Sequence, residues 1–256
     1  MKTLTRQLGR ILGLLVLCAL ALQLMFALRI AAMRWLDPQS TAFERSEAWR
    51  LISQTGSLPW RQEWAPYDRI SAQLKRAVIA SEDAAFTDHA GIDWDAVEKA
   101  WERNQRAEAR AERLNERAAT AKPGATAPAR RVEAKVVGGS TITQQLAKNL
   151  FLSGERTVLR KGQEAVITVM LEALLPKQRI LEIYLNHVEW GEGVFGAQAA
   201  ARHYYRLDAA QLGAFQAARL AVMLPAPKRF EKRPGSAYVA GRAGTIVARM
   251  GAVELP

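Results

Sequence analysis

Gly138–Leu150 reads GGSTITQQLAKNL, and the rest of the chain can be understood outward from it. Two glycines free the backbone, and Ser140 or Thr141 can then cap a helix whose first N–H groups lack intrahelical partners. Along that helix Ile142, Leu146 and Leu150 recur every fourth residue as an apolar stripe. Ser140, Gln144 and Lys148 recur on the other side, with Thr141 and Gln145 beside them. A face of hydroxyls, paired amides and one ammonium offers donors suited to sugar hydroxyls or phosphate oxygens. The alternative is a plain solvated face, although such a face usually carries Glu and Lys rather than Ser, Thr and two Gln.

The 256 residues carry 36 Lys or Arg against 25 Asp or Glu, a formal charge of +11. That balance points to a polyanionic partner: nucleic acid, anionic headgroups or a phosphorylated substrate. The single cysteine, Cys18, sits in an N-terminal apolar run, which excludes a Cys-ligated metal centre from the rest of the chain. His89, His187 and His203 lack tight metal-ligand spacing. Ile11 to Leu28 holds no charged residue and is long enough to span most of a bilayer core, so it reads as a membrane helix extending toward Met33. Lys2, Arg6 and Arg10 precede it, which favours a cytoplasmic N-terminus with the bulk of the chain outside. A cleaved signal peptide is the rival, but its apolar region is normally shorter.

Residues 1–36 are therefore expected to form the N-terminus and anchor, and residues 37–256 one mainly α domain. Asp37 to Pro66 is mixed, and its Trp49, Trp60 and Trp64 suit either headgroup-level placement or ordinary packing. Tyr67 to Ser81 is an amphipathic helix by the spacing of Ile70, Leu74 and Val78. It delivers the chain to SEDAAFTDHAG, where Glu82 and Asp83 lie at a helix C-terminus that disfavours negative charge. A carboxylate held against Phe86 there would have a raised pKa and suit a base, whereas the plain alternative is solvated surface. His89 has a structural reading as well.

After a helix over Ile92 to Trp101, residues 102–135 are dominated by Ala, Arg and Glu and cannot bury a core. They read as a charged insertion, an exposed helical arm followed by a mobile linker. The alternating charge signs outside the cytoplasm argue against nucleic acid. The next helix begins at Arg160 and ends at Pro176, and its spacing puts Arg160, Lys161 and Glu164 in one patch. Near Lys148 and Arg156 such a patch suits a pyrophosphate. WGEGVFG at Trp190–Gly196 reads as a tight loop, and helices are expected at Arg179–Leu185, Ala197–Tyr205, Gln211–Leu224 and around Val239–Met250. No strand pairs are expected.

The chain resembles the monofunctional biosynthetic peptidoglycan glycosyltransferases of glycosyltransferase family 51. Five blocks in the family's order carry the resemblance: EDAAFTDHAG from Glu82, GGSTITQQLAKNLF from Gly138, RKGQE from Arg160, ILEIYLNHVEWGEGVFGAQAAARHYY from Ile180 and AARLAVMLPAPKRF from Ala217. The resemblance implies a lysozyme-like α fold on a single transmembrane helix of the bacterial inner membrane, with the catalytic domain on the periplasmic side. It also implies inverting, processive polymerisation of lipid II with release of undecaprenyl pyrophosphate. Glu82 would take the proton of the acceptor sugar's 4-hydroxyl. Glu164 would assist pyrophosphate departure directly or through a divalent ion, magnesium or manganese, with no organic cofactor. Lys148, Arg156, Arg160 and Lys161 match positions around the pyrophosphate. Ser140, Thr141, Gln144, Gln145 and Asn149 match the polar lining, and Asp83, Phe86 and His89 match shaping and orienting positions.

The implied partners are lipid II, the growing glycan strand, the bilayer and proteins of wall synthesis or division. Residues 102–135 are longer than the family usually carries at that connection. The chain has no SxxK, so cross-linking activity is not expected. Two rival functions remain: a lysozyme-like lytic transglycosylase, which leaves the cations around Glu164 without a purpose, and an inactive membrane-anchored scaffold.

Overall fold

The computed structural model describes residues 2–120, 132–133, 138–152, 154–155 and 157–256. Helix α1 (Lys2–Ala32) contains the expected apolar run, and Arg6–Ala32 is long and apolar enough to cross a membrane. Its last turns are not a free stalk. Phe26, Ile30 and Met33 are buried in the domain core, and Gln23 exchanges two amide hydrogen bonds with Gln163 at 2.8 and 3.0 Å. Arg179 Nε donates to Met33 O at 2.7 Å, closing the junction.

The mixed stretch after Asp37 contains a helix, α2 (Ala42–Thr55), opened by a capping box in which Thr41 Oγ1 accepts from Glu44 N and Glu44 accepts from Thr41 N. Of the tryptophans there, Trp60 stacks on Phe195 and Trp64 meets His187 edge-on, whereas Trp49 is exposed. The helix expected over Tyr67–Ser81 is split. A 3₁₀ turn (Tyr67–Arg69) ends at Ile70, which is extended, and Ser71 caps α3 (Ala72–Glu82) by accepting from Leu74 N at 3.1 Å. The expected helix at Ile92–Trp101 and the charged arm after it are one continuous helix, α4 (Trp94–Thr120). Asn115 holds the returning chain by both donating to and accepting from the Val132 backbone, at 3.0 and 2.8 Å. The linker expected at 121–131 and 134–135 lies outside the described residues.

Three helices form the centre: α5 (Ile142–Phe151), α6 (Val158–Leu174) and α7 (Lys177–His187), with α5 packed on α2, α6 and α7. The apolar stripe of α5 is buried as its spacing requires, and each such side chain stabilises the fold by about 1.5–3 kcal/mol. Pro176 separates α6 from α7, since its ring and missing N–H stop a helix from continuing. Helices α8 (Ala197–Tyr205), α9 (Ala214–Met223), α10 (Pro227–Phe230) and α11 (Ala237–Met250) complete the chain, and α3, α9 and α11 pack together. The helix expected over Gln211–Leu224 starts late, because a 3₁₀ turn (Ala209–Gln211) and Gly213 precede α9.

The expectation of no strand pairs is corrected by a small sheet. Strand β1 (Arg61–Gln62) runs parallel to β3 (Val194–Phe195), and β2 (Glu189–Gly191) pairs with β3 antiparallel. The tight loop read in WGEGVFG is the hairpin joining β2 and β3. Gly193 has φ 71°, and a β-carbon there would overlap the Pro59 carbonyl oxygen, so both backbone and space require glycine. Strands of two and three residues are too short to show a period of two, which is why sequence periodicity misses them. The fold is mainly α, a helical domain joined to one apolar N-terminal helix.

Candidate active site

A pocket of about 460 Å3 opens between α2, α5 and α6. Of the polar row read from the sequence, Ser140, Gln144, Gln145 and Lys148 line it and Thr141 does not; Asn149 lines it as well. Its far wall comes from the first turns of α6, with Arg160, Lys161 and Glu164, and α2 contributes Phe43, Ser46 and Glu47. These α2 residues carry no sequence signal tying them to the site, because only the tertiary fold brings α2 across α5.

The α6 patch is an ion-pair cluster around a buried carboxylate. Arg160 Nη1 donates to Glu164 Oε2 at 2.8 Å, and Lys161 Nζ pairs with Glu164 Oε1. Arg160 Nε is buried without a partner, an orphaned donor at the pocket wall. Among the described residues Lys148 makes no ion pair, and burial is the largest cause lowering its pKa. Arg160 and Lys161 push it the same way, and Glu164 opposes them. Lys148 is nonetheless solvent-accessible, so this is a cation at a pocket wall rather than in the core. An anion arriving there would meet three positive side chains and an unfilled N–H. Arg156 lies outside the described residues.

A divalent ion at Glu164 does not fit this donor set. Both carboxylate oxygens are engaged by cations, and the neighbouring Lys148 would repel a further one. The ligand atoms of Asp83, His89 and Asp93 lie within 4.8 Å of one another. Each already accepts within the fold: both Asp83 oxygens from His89 and Ile142 N, His89 Nδ1 from Gly91 N, and Asp93 Oδ1 from Ala96 N.

Glu82, the last residue of α3, is not among the residues lining the pocket but is tied to its wall through Gln145. Gln145 Nε2 donates to its Oε2 at 3.1 Å. Burial raises the Glu82 pKa, the Gln145 and Ser81 hydrogen bonds lower it, and the Asp83 charge raises it further. Tyr184, fully buried on α7, donates from its hydroxyl to Gln145 Oε1 at 3.0 Å and so fixes which way the amide faces. Burial holds the Tyr184 pKa well above its ordinary value, so the hydroxyl remains a donor. Sequence reading misses Tyr184, because an aromatic within YLN at helical spacing looks like core.

Asp83, Phe86 and His89 brace the site from behind rather than line the pocket. His89 Nδ1 accepts from Gly91 N at 3.1 Å, which places the ring proton on Nε2, facing Asp83 Oδ1 at 2.9 Å. The other Asp83 oxygen accepts from Ile142 N at 3.0 Å, pinning the start of α5 to the end of α3. Burial raises the Asp83 pKa while these bonds lower it. Phe86 is fully buried beneath the Lys177 ammonium, 4.4 Å from its ring centre. Thr141 is structural as well: it caps α5 with Gln144 and donates to Gly91 O at 2.6 Å.

A family model described as Transglycosylase matches residues 50–113 and 119–251. A biosynthetic peptidoglycan transglycosylase of Burkholderia thailandensis is 52% identical over 238 residues, covering 93% of this chain and 83% of the relative. Those of Burkholderia pseudomallei and Burkholderia multivorans are each 53% identical, again over 93% of this chain and over 83% and 86% of their own lengths. With the α5 and α6 walls of the pocket, the cation cluster and the amide-held carboxylate inside the matched residues, the chain belongs to the transglycosylase family, alongside these biosynthetic peptidoglycan transglycosylases.

Proposed function

We propose that the protein polymerises lipid II into peptidoglycan glycan strands by inverting glycosyl transfer, releasing undecaprenyl pyrophosphate, and that it carries no transpeptidase activity. One observation carries this reading. Gln145, holding the Glu82 carboxylate, and Lys148, next to Arg160, lie three residues apart on α5, about one helical turn of ~5 Å. Forming a glycosidic bond from a sugar pyrophosphate requires a base at one end and cations at the other, and α5 links the two, through Gln145 to Glu82 on α3 and through Lys148 to the α6 cations.

In the proposed reaction Glu82 takes the proton of the acceptor's 4-hydroxyl as that oxygen attacks the donor anomeric carbon. The bond from that carbon to the phosphate oxygen breaks, and the charge gathering on the pyrophosphate falls to Lys148, Arg160 and Lys161. Glu164 holds Arg160 and Lys161 in position. Ser140, Gln144 and Asn149 supply hydrogen bonds to sugar or phosphate. No metal-dependent step is invoked. The absence of SxxK from the 256 residues supports the lack of cross-linking activity.

The surface supports a membrane setting. Every exposed residue of α6 except Lys161 is apolar, with Val158 at 92% and Leu159 at 86% exposure, followed by Gly162, Val166, Val169 and Ala173. Because α6 packs on α1, this face continues the exposed apolar surface of the candidate span. A cation cluster one turn inside an apolar helix face suits a substrate whose pyrophosphate lies at the headgroup level and whose tail stays in the bilayer. The placement proposed is a single-pass anchor in the inner membrane with the domain in the periplasm.

Incubation with labelled lipid II tests the reading. Polymer is expected, and shortening of preformed glycan without polymer formation would overturn it in favour of lytic chemistry.

A further inference from the structure

A second cleft of about 460 Å3 lies where α10 meets the start of α11, lined by Arg229, Phe230, Lys232, Arg233, Ser236 and Tyr238. Its aromatic wall is ordered: the Phe230 and Tyr238 rings stack 5.8 Å apart with 6° between their planes. The Arg229 guanidinium lies 5.8 Å from the Phe230 ring centre. Among the described residues no carboxylate pairs with Arg229, Lys232 or Arg233. The acid beside them in sequence, Glu231, is turned to the β2–β3 hairpin, where it accepts from Glu192 N at 2.7 Å. Three like charges gathered without a counter-charge repel one another, and a bound anion relieves that repulsion.

We infer that this cleft binds the carboxylate-bearing peptides of the glycan strand as it leaves the α5 pocket. The inference rests on the proposed function, under which each disaccharide of the product carries a peptide ending in a carboxylate. Placement supports it. Lys228, the neighbour of Arg229 on the single turn of α10, pairs with Glu47, and Glu47 lines the α5 pocket. The two clefts are therefore linked through the Lys228–Glu47 pair, with Arg229 next to Lys228 on α10. Arginine matches a carboxylate with two parallel donors, and the exposed Tyr238 ring offers a plate for a sugar or peptide face. Anionic lipid is the less fitting ligand. The exposed apolar face shared by α1 and α6 is not part of this cleft, since α10 packs on β2, and α11 on α3 and α9.

The test measures binding of lipid-free glycan strands to the full-length protein at low salt, with peptides intact and with peptides removed. The wild-type chain should bind intact strands about tenfold more tightly, equivalent to ~1.4 kcal/mol, and Arg229→Ala/Arg233→Ala should remove that preference. Arg233→Glu, which leaves the ring stack in place, should weaken intact-strand binding further, with the circular dichroism spectrum unchanged. Equal affinity for both strands, or an unchanged preference in the double variant, would overturn the inference. So would a double variant whose defect appears only with phosphatidylglycerol vesicles, since that result assigns the cations to the membrane. Lipid II polymerisation by the wild-type chain is followed in parallel, and its absence would overturn the proposed function rather than this cleft.

Discussion

Tyr184 donates its hydroxyl to Gln145 Oε1 at 3.0 Å, so the Gln145 amide nitrogen has one direction left to point, toward Glu82. The carboxylate proposed as the base is thus oriented by a buried phenol two residues removed along the hydrogen-bond chain. Tyr184→Phe keeps the ring and deletes only the donor. It should lower kcat/KM about twofold to tenfold, the equivalent of one neutral hydrogen bond of ~0.5–1.5 kcal/mol, with KM nearly unchanged. Gln145→Ala also removes a hydrogen bond that lowers the Glu82 pKa, so the acid limb of its kcat/KM profile should move to higher pH. An unmoved limb in Gln145→Ala would show that the amide does not act on the base.

Burial raises the Glu82 pKa, which makes ionised Glu82 a cost to the fold. Below the ordinary carboxylate pKa the group is protonated in folded and unfolded chains alike, and the cost is absent; it grows as pH rises through the raised value and is constant above it. Glu82→Gln should therefore be more stable than the wild type at neutral pH and lose that advantage near pH 4. Denaturant unfolding at several pH values measures this, and a stability difference independent of pH would contradict the buried-base assignment.

Lys148 and Arg160 should separate when activity and stability are measured together. Lys148 makes no ion pair among the described residues, so Lys148→Ala should leave the melting temperature nearly unchanged. Its turnover should fall by about 10²–10³, as for loss of a donor to a developing oxyanion. Arg160→Ala removes a partner of the buried Glu164 and should lose ~1–3 kcal/mol of stability as well as activity. Lys148→Ala with a large loss of stability and normal turnover would assign the lysine to the fold.

Asp83 makes a geometric prediction. Both its oxygens accept hydrogen bonds, one from His89 Nε2 and one from Ile142 N. Asp83→Asn keeps one acceptor and turns an amide donor toward one of those N–H groups, so about 1–3 kcal/mol of stability should be lost. Hydrogen exchange should show the loss as faster opening at the start of α5. Protection there equal to the wild type would show that Asp83 does not pin the helix.

The helices were legible wherever local pattern and tertiary packing agree. The GGSTITQQLAKNL stretch forms the capped helix its glycines, Thr141 and apolar stripe imply, and α8 has the bounds read from its residues. The Arg160, Lys161 and Glu164 patch follows from i,i+3 and i,i+4 spacing alone. What escaped the sequence depends on distant segments. Helix α2 announces itself only through the T-A-F-E of its capping box, and nothing local says that Phe43 and Glu47 will face α5. The Tyr184–Gln145–Glu82 chain joins α7, α5 and α3, so its members are unrelated until the helices pack. The boundary between the apolar N-terminal helix and the domain is blurred for the same reason: Phe26 and Ile30 suit lipid by composition, yet the core buries them.

Glu82, held by Gln145, is the proposed base of a polymerising reaction. The most direct test of that role is polymer formation from labelled lipid II by the wild-type chain and by Glu82→Gln under identical conditions, with folding checked by circular dichroism. Polymer is expected from the wild type and nearly none from the folded variant. Full polymerisation by Glu82→Gln would contradict the account.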